Sequence, residues 1–308
     1  MGEYPRNLTE FETSFSSEQE CRDYLYRLRW PSGFICPRCG GLKAWPVGKM
    51  LYECSNCHYQ LSVTSGTIFQ DTHKPLTVWF RAIWWVTGQK NGASALGLKG
   101  ILGLGSYRTA WTWLHKLRRA MVRPNRDQLS GIVEVDETFW GAERPGKRGR
   151  GSEGKVLVGI AVEDRGDKGI GRIRLGVLPN ASVASLKSFV SHRVLPGSTI
   201  RSDDWHAYHK LPTVGYQHIS VKPNELKLAH LVAALLKRWL LGTHQGAVSP
   251  EHLSYYLDEY TFRFNRRTSN HRGKLFMRLL ENAVQIDPVT ESKITLHIRG
   301  RRRKKHDL

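Results

Sequence analysis

The stretch IVEVDETFW, residues 132–140, decides the interpretation of the second half of the chain. Its β-branched and aromatic residues predict a strand, in which successive side chains point to opposite faces of a sheet. Val133 and Val135 share one face, which we expect to pack in a core, and Glu134 and Asp136 share the other. The strand therefore presents two carboxylates on one side of the predicted sheet.

The segments that follow this strand predict a mixed sheet covered by helices. Two more β-rich runs come next, KVLVGIAVED and GRIRLGVLP, and a helix, a strand ending in TIRSDD and a strand in YQHISVK follow them. Three helical segments complete the order, ELKLAHLVAALLKRWLLG, PEHLSYYLDEYTFRFNRR and GKLFMRLLENAVQ. Strands, a helix, more strands and then helices are an order compatible with an α/β domain.

A second acidic residue, Asp203, lies where the strand TIRS gives way to a short helical turn. If both strands end at the carboxyl edge of the sheet, Asp136 and Asp203 can meet there. Two carboxylates at such an edge can hold Mg²⁺, which prefers oxygen ligands. A pair of such ions can activate a water or a 3′-hydroxyl and stabilise the leaving oxygen of a phosphodiester. The alternative is that each Asp only caps a turn.

The charge of the chain favours an anionic polymer as partner. Lys and Arg number 47 against 27 Asp and Glu, which leaves a net charge of +20, and nucleic acid is the usual partner of so basic a protein. The loop at 141–155 and the tail from Arg299 are expected to be disordered and to contact phosphates, although each could simply aid solubility. The loop residues expected to bind DNA are Arg144, Lys147, Arg148 and Arg150.

Four of the five cysteines predict a zinc site. No apolar run approaches the ~18 residues that span a bilayer, and no signal peptide is evident, so we expect a cytoplasmic protein with reduced thiols and no membrane partner. The cysteines form two Cys-x-x-Cys pairs separated by fourteen residues, a spacing typical of structural Zn²⁺ bound by four thiolates. The alternatives are two disulfides or coincidence. The predicted ligands are Cys36, Cys39, Cys54 and Cys57.

Two helices after the cysteines have the size of a helix-turn-helix. They cover Ser94–Leu102 and Ser106–Met121 and are joined by a turn that contains glycine. The second helix carries basic residues around an apolar stripe, and the alternative to a DNA-reading role is an amphipathic core helix with a solvated basic face. The residues of this helix expected to bind DNA are Arg108, Lys116, Arg118 and Arg119.

Together, the cysteine spacing and the motifs VEVDETFWG, SDDWHAYHKL and LLKRWLLGTHQGAVSPEHLSYYLDEYTFRFNRR resemble the insertion-sequence transposases of the ISXO-like group, from about residue 18 to about residue 285. The resemblance implies an RNase H-like catalytic core that binds Mg²⁺ or Mn²⁺ through Asp136 and Asp203. It also implies double-stranded DNA as partner and a homodimer or larger assembly in the synaptic complex. Asp204 stands where relatives often have Gly.

The resemblance also points to the third ligand. Relatives commonly carry Glu or Asn seven residues before the Lys of the LLKR helix, and this chain has His230 before Lys237. Seven residues turn a helix by about 700°, so both side chains lie on one face about 10.5 Å apart. We predict His230 as third ligand and Lys237 as a DNA contact. Glu225, the nearest acid, and a histidine without a role are the alternatives.

These observations predict four parts. A zinc ribbon with its preceding helix covers 18–66, a helical DNA-binding segment 67–126, an RNase H-like catalytic domain 130–285 and a basic tail 286–308. The predicted function is metal-dependent cleavage at transposon ends and strand transfer into target DNA. The alternative is a catalytically inactive, domesticated DNA-binding protein or regulator, which the histidine in place of an acid would favour.

Overall fold

The computed structural model describes residues 4–48, 50–123, 126–141 and 155–295. The chain forms two compact units, one of Met1–Pro124 with Ser269–Leu308 and one of Asn125–Thr268. The basic residues predicted in the 141–155 loop (Arg144, Lys147, Arg148 and Arg150) and the tail from Arg299 lie outside the described residues. Among the described residues, no helix is both long and apolar enough to cross a membrane.

The first unit begins with helices that are capped by their own sequence. Asn7 caps the helix α1, and Ser17 and Glu20 form a capping box at the start of α2. A three-stranded antiparallel sheet and three further helices follow. The bounds are α1 Leu8–Ser14, α2 Glu18–Arg29, β1 Ala44–Val47, β2 Leu51–Cys54, β3 Gln60–Ser62, α3 Leu76–Gly88, α4 Ala95–Leu102 and α5 Tyr107–Ala120.

The second unit is a five-stranded mixed sheet in the order β6-β5-β4-β7-β8. Strands β4, β5 and β6 are antiparallel neighbours, while β7 runs parallel to β4 and β8 parallel to β7. The bounds are β4 Ile132–Trp140, β5 Val156–Asp164, β6 Ile170–Leu178, α6 Val183–Ser191, β7 Thr199–Ser202, β8 Gln217–Ser220, α7 Lys227–His244 and α8 Leu253–Phe264. This arrangement confirms the predicted RNase H-like α/β fold.

Two apolar cores, one on each face of this sheet, follow from the alternation of side chains along the strands. Val133 and Val135 are fully buried in the core with α6, as the alternation in β4 predicts. The opposite core contains Ile160 of β5 and the apolar faces of α7 and α8. Strand β4 therefore turns its carboxylates toward the layer that contains α7.

A buried ion pair joins β5 to β6. Glu163 is 5% exposed and accepts hydrogen bonds from Arg172, with a distance of 2.6 Å between Nη2 and Oε1. Burial by itself raises the pKa of the Glu163 carboxyl, but the hydrogen bonds from Arg172 outweigh burial and hold the pKa below its usual value.

Glu163→Gln should therefore lower the free energy of unfolding by about 1–2 kcal/mol at neutral pH, because it removes a charged hydrogen-bond acceptor. A carboxyl whose folded pKa is lowered contributes stability above its unfolded pKa and loses it as the pH falls through the folded pKa. Urea unfolding of the wild type and of Glu163→Gln should be measured at pH values from 7 downward. The difference between their free energies of unfolding should shrink below about pH 4. A difference that does not change with pH would contradict this account of the pair.

The last described long helix, α9 at Arg272–Ala283, belongs to the first unit. It packs against α3 and α5, and Phe276 is fully buried among aromatic side chains that include Phe11 and Phe80. The sequence predicts this helix inside a catalytic domain at 130–285, whereas its apolar face covers the helices of the first unit. The other predicted domain boundaries stay predictions.

Candidate functional sites

The four predicted zinc ligands lie together at the ends of short turns in the first unit. The Sγ atoms of Cys36 and Cys57 are 3.7 Å apart, those of Cys39 and Cys54 are 3.6 Å apart, and all four lie within 4.8 Å of one another. Sulfurs placed about 2.3 Å from a zinc ion at the corners of a tetrahedron are separated by about 3.8 Å. The donor set therefore fits a closed, structural four-thiolate zinc site, as the spacing predicted.

The two Cys-x-x-Cys turns have the same backbone geometry. The N–H of Gly40 donates to the carbonyl of Cys36 at 2.9 Å, and the N–H of His58 donates to the carbonyl of Cys54 at 3.0 Å. Both residues have left-handed backbone, with φ of +73° and +55°. His58 lies at the surface with its Nδ1 atom 3.0 Å from Glu53 Oε1, as expected for a histidine outside the four-thiolate set.

Cys21 is separate from this cluster. It is fully buried in α2, and burial raises the pKa of its thiol to about 12. The thiol is therefore protonated and unreactive at neutral pH, which agrees with a packing role.

Removal of zinc should unfold the ribbon, because its three strands have three or four residues each and little core of their own. Structural zinc supplies about 10–16 kcal/mol of folding free energy in small zinc domains. We expect about one zinc per chain by metal analysis, and loss of amide protection in residues 36–60 after chelation or in Cys39→Ser. Zinc-free protein that keeps this protection would contradict the site, and Cys21→Ser serves as the matched control that retains its zinc.

Asp136 lies in the middle of β4, and Asp203 directly follows the end of the parallel neighbouring strand β7. Glu134 and Arg201 are the last pair of the β4–β7 ladder, so Asp136 and Asp203 each stand two residues beyond the end of that ladder. Arg201 Nη1 reaches Glu134 Oε1 at 3.8 Å on the α7 side of the sheet. Asp203 lies outside the strand, and its Oδ1 atom accepts a hydrogen bond from the backbone N–H of Trp205 at 3.2 Å.

His230 meets the first of these carboxylates. The Nε2 atom of His230 lies 3.2 Å from Asp136 Oδ2, and the two side chains are 49% and 17% exposed. A ligand or a substrate can therefore reach the pair from solvent. Glu225, the alternative ligand, does not lie on the helix as the sequence analysis assumed: it ends an exposed 3-10 turn at Pro223–Glu225, and α7 begins only at Lys227.

The residue after Asp136 has a separate partner that the sequence analysis did not identify. The hydroxyl of Tyr208 donates to Glu137 Oε2 at 2.6 Å, and Tyr208 is fully buried. Burial, together with the nearby charge of Glu137, holds the pKa of Tyr208 well above its usual value, so the phenol remains a donor. Adjacent residues of a strand point to opposite faces, and this alternation was the available signal that Glu137 would face the α6 layer.

Asp204 is occupied by other neighbours. Its Oδ1 atom accepts from Ser220 Oγ at 3.0 Å and lies 2.9 Å from His209 Nε2. The hydrogen bond from Ser220, followed by that from His209, lowers the pKa of the Asp204 carboxyl. Asp203 and Asp204 thus each have hydrogen-bond partners of their own.

Helix α7 presents His230 and Lys237 on one exposed face. Ala229, Val232, Leu236 and Leu240 form its buried face against the sheet. The opposite, exposed stripe contains His230, Ala234, Lys237 and Leu241. The predicted spacing of two helical turns between the histidine and the lysine is therefore realised in a continuous helix.

Helix α5, the predicted DNA reader, is largely a core helix. It packs against α4 and α9, and Arg118 is only 2% exposed, which leaves this guanidinium no surface for a phosphate and removes it from the DNA-binding set. Arg108 forms an ion pair with Glu291, and burial lowers the pKa of Lys116. Arg119 is exposed. The alternative of an amphipathic core helix therefore describes most of α5.

A mixed α/β sheet in a chain that also carries a four-cysteine zinc-ribbon cluster is the architecture expected of the DNA transposases that the sequence resembles. The family model described as ISXO2-like transposase domain matches residues 128–265, and the transposase zinc-ribbon model matches residues 16–60. The resemblance to insertion-sequence transposases is thus confirmed in both the zinc-ribbon segment and the transposase-domain segment.

A full-length relative supports the same assignment. An uncharacterized protein of the transposable element ISH50 from Halobacterium salinarum is 26% identical over 304 residues, which cover 88% of this chain and 98% of the relative. One chain of a simian T-cell lymphotropic virus intasome bound to the PP2A regulatory subunit B56 gamma is similar over 59% of this chain and 64% of its own length. With 16% identity and a TM-score of 0.31, that likeness carries no argument.

Proposed function

We propose that this transposase cleaves DNA at the ends of its element and joins the freed 3′ ends to target DNA at a site formed by Asp136, Asp203 and His230. The observation that carries the proposal is the 3.2 Å approach of His230 to Asp136 in β4, beyond the point where the parallel strand β7 ends and Asp203 follows it. Strand β4 and helix α7, far apart in the chain, thus meet at a solvent-accessible place.

The side chains fit a divalent cation. Two carboxylates supply the hard oxygen ligands of Mg²⁺, and an imidazole is a good ligand for Mn²⁺ and a poorer one for Mg²⁺. When bound, such an ion polarises a phosphate oxygen and lowers the pKa of an attacking water or 3′-hydroxyl. The residues that would hold it are Asp136, Asp203 and His230.

The chain itself supplies position and charge around this site. Lys237 lies on the exposed stripe of α7, about 10.5 Å along the helix from His230, where its ammonium can bind a phosphate next to the scissile one. Tyr208 fixes Glu137 on the other face of β4 and so holds the strand that carries Asp136.

The remaining basic residues would bind the DNA backbone. Arg119 and, once released from Glu291, Arg108 are the residues of α5 available for phosphates, and Lys116 would be only partly accessible. The predicted residues Arg144, Lys147, Arg148 and Arg150 stay part of the proposal. We further propose that the protein acts on double-stranded DNA as a dimer or larger assembly, in the cytoplasm at the nucleoid.

A strand-transfer assay tests this function. The purified protein is incubated with a duplex that carries a precut end of its own element and with a supercoiled target plasmid, in Mg²⁺ or in Mn²⁺. Joined products are expected in at least one ion. Cleavage of an uncut end without joining would identify a nuclease, and binding to the end without either product in both ions would identify an inactive DNA-binding protein.

A further inference from the structure

A buried carboxylate in β4 holds the first turn of the helix that carries His230. Glu134 is 2% exposed, and its Oε2 atom accepts hydrogen bonds from the backbone N–H groups of Leu228 and Ala229, each at 2.9 Å. Its other oxygen faces Arg201, whose Nη1 atom lies 3.8 Å from Glu134 and 3.3 Å from Asp164. The carboxylate is therefore fixed from both sides.

Helix α7 takes its cap from this distant strand. Its own N-cap position is Leu226, which supplies no side-chain hydrogen bond. The first N–H groups of a helix have no partner within the helix, and a negative charge at this end is favourable. Glu134 satisfies two of these groups, and Ala229, whose N–H donates one of the bonds, immediately precedes His230.

We infer that Glu134 is a positioning residue that sets the height and rotation at which His230 meets Asp136. Glu134 and Asp136 are two residues apart on one face of β4, so the strand contacts α7 at two points. Glu134 accepts from the backbone of the helix, and Asp136 contacts the imidazole of His230. The two contacts fix the helix relative to the strand. The inference rests on the proposed function, because it assigns a role toward the same metal-binding site.

The geometry requires a carboxylate of this length. Glutamine keeps one oxygen for the two N–H groups but turns an amide N–H₂ toward the guanidinium of Arg201. Aspartate is one methylene shorter and leaves the helix end out of reach. Glu134→Gln is therefore the informative change, since it preserves volume and alters only the charge and one acceptor.

Glu163→Gln is the matched control. Glu163 is a buried carboxylate of the neighbouring strand, 5% exposed, but its partner is Arg172 and not α7. Both variants lose a buried charge pair, so both should lower the melting temperature. Only Glu134→Gln should change the helix end that carries His230.

Besides an assay of end cleavage, two measurements on the full chain test the inference. They are the rate of amide hydrogen exchange in residues 228–231 and the affinity for Mn²⁺, measured by calorimetry. Residues that orient metal ligands typically change affinity by about 10–100-fold when replaced. We expect Glu134→Gln to speed this exchange and to weaken Mn²⁺ binding by about 10-fold or more. Glu163→Gln should leave both unchanged.

The possible outcomes distinguish a failure of the positioning role of Glu134 from a failure of the proposed metal site. If Asp136→Asn weakens Mn²⁺ binding while Glu134→Gln binds Mn²⁺ like the wild type, the positioning role is wrong and the metal site stands. If Glu163→Gln weakens Mn²⁺ binding as much as Glu134→Gln, the effect is general destabilisation and the positioning role is again wrong. If Asp136→Asn has no effect on Mn²⁺ affinity, the proposed site itself fails.

Discussion

Asp136→Asn is expected to lower cleavage of element ends by at least about a thousand-fold, as is Asp203→Asn. The amide keeps the volume of the side chain but loses the negative charge that holds a divalent cation. Asp136 lies within β4 and Asp203 follows the end of β7, so neither side chain can take the position of the other. Binding of the element end should change little, since phosphate contacts come from basic residues elsewhere.

Asp204→Asn is the matched control for these variants. It lies next to Asp203, but its carboxylate is bonded to Ser220 and lies against His209, and its side chain is 82% exposed. We expect it to cleave within a few-fold of the wild type in a gel assay of labelled ends. Inactive Asp204→Asn together with active Asp203→Asn would show that the second ligand has been assigned to the wrong residue.

The second large effect concerns His230. Because its imidazole lies 3.2 Å from Asp136, His230→Ala should lower cleavage by about 100-fold or more if it holds the ion. The wild type should be more active in Mn²⁺ than in Mg²⁺, since nitrogen suits Mn²⁺ better. His230→Glu should keep part of the activity and shift its preference toward Mg²⁺, which prefers oxygen.

Glu225→Gln is the control on the neighbouring element. Glu225 lies exposed in the turn before α7, and its replacement should matter little. Rates of single-turnover cleavage in each ion compare the three variants. If His230→Ala cleaves normally and Glu225→Gln is inactive, the carboxylate before the helix completes the site and the role given to His230 is wrong.

The sheet and its site follow largely from local sequence patterns. The alternation in β4 correctly predicted which residues face the α6 core, and the paired Cys-x-x-Cys spacing predicted the cluster of four sulfurs. The spacing of His230 and Lys237 on one exposed face follows from helical periodicity alone. These features depend on residues that are close together in the chain. In these segments the local preference for strand, turn or helix agrees with the fold.

The features that the sequence did not predict depend on distant partners. Arg118 has the pattern of a solvated basic residue, but α9, which lies far along the chain, helps to cover the helix that carries it. Helix α1 is short and polar except for the side chains that it packs into an aromatic cluster. The cap that Glu134 provides for α7 joins residues 94 and 95 positions apart, and no periodicity reveals such a contact.

The most direct test of the site is the position of a bound ion. Crystals of the protein soaked in Mn²⁺ should show an anomalous peak within about 2.0–2.3 Å of the carboxylates of Asp136 and Asp203 and of the imidazole of His230. The contact between His230 and Asp136 would then be bridged by the ion. A peak at Asp204 and His209, or no peak near Asp136 at saturating Mn²⁺, would contradict the proposed catalytic centre.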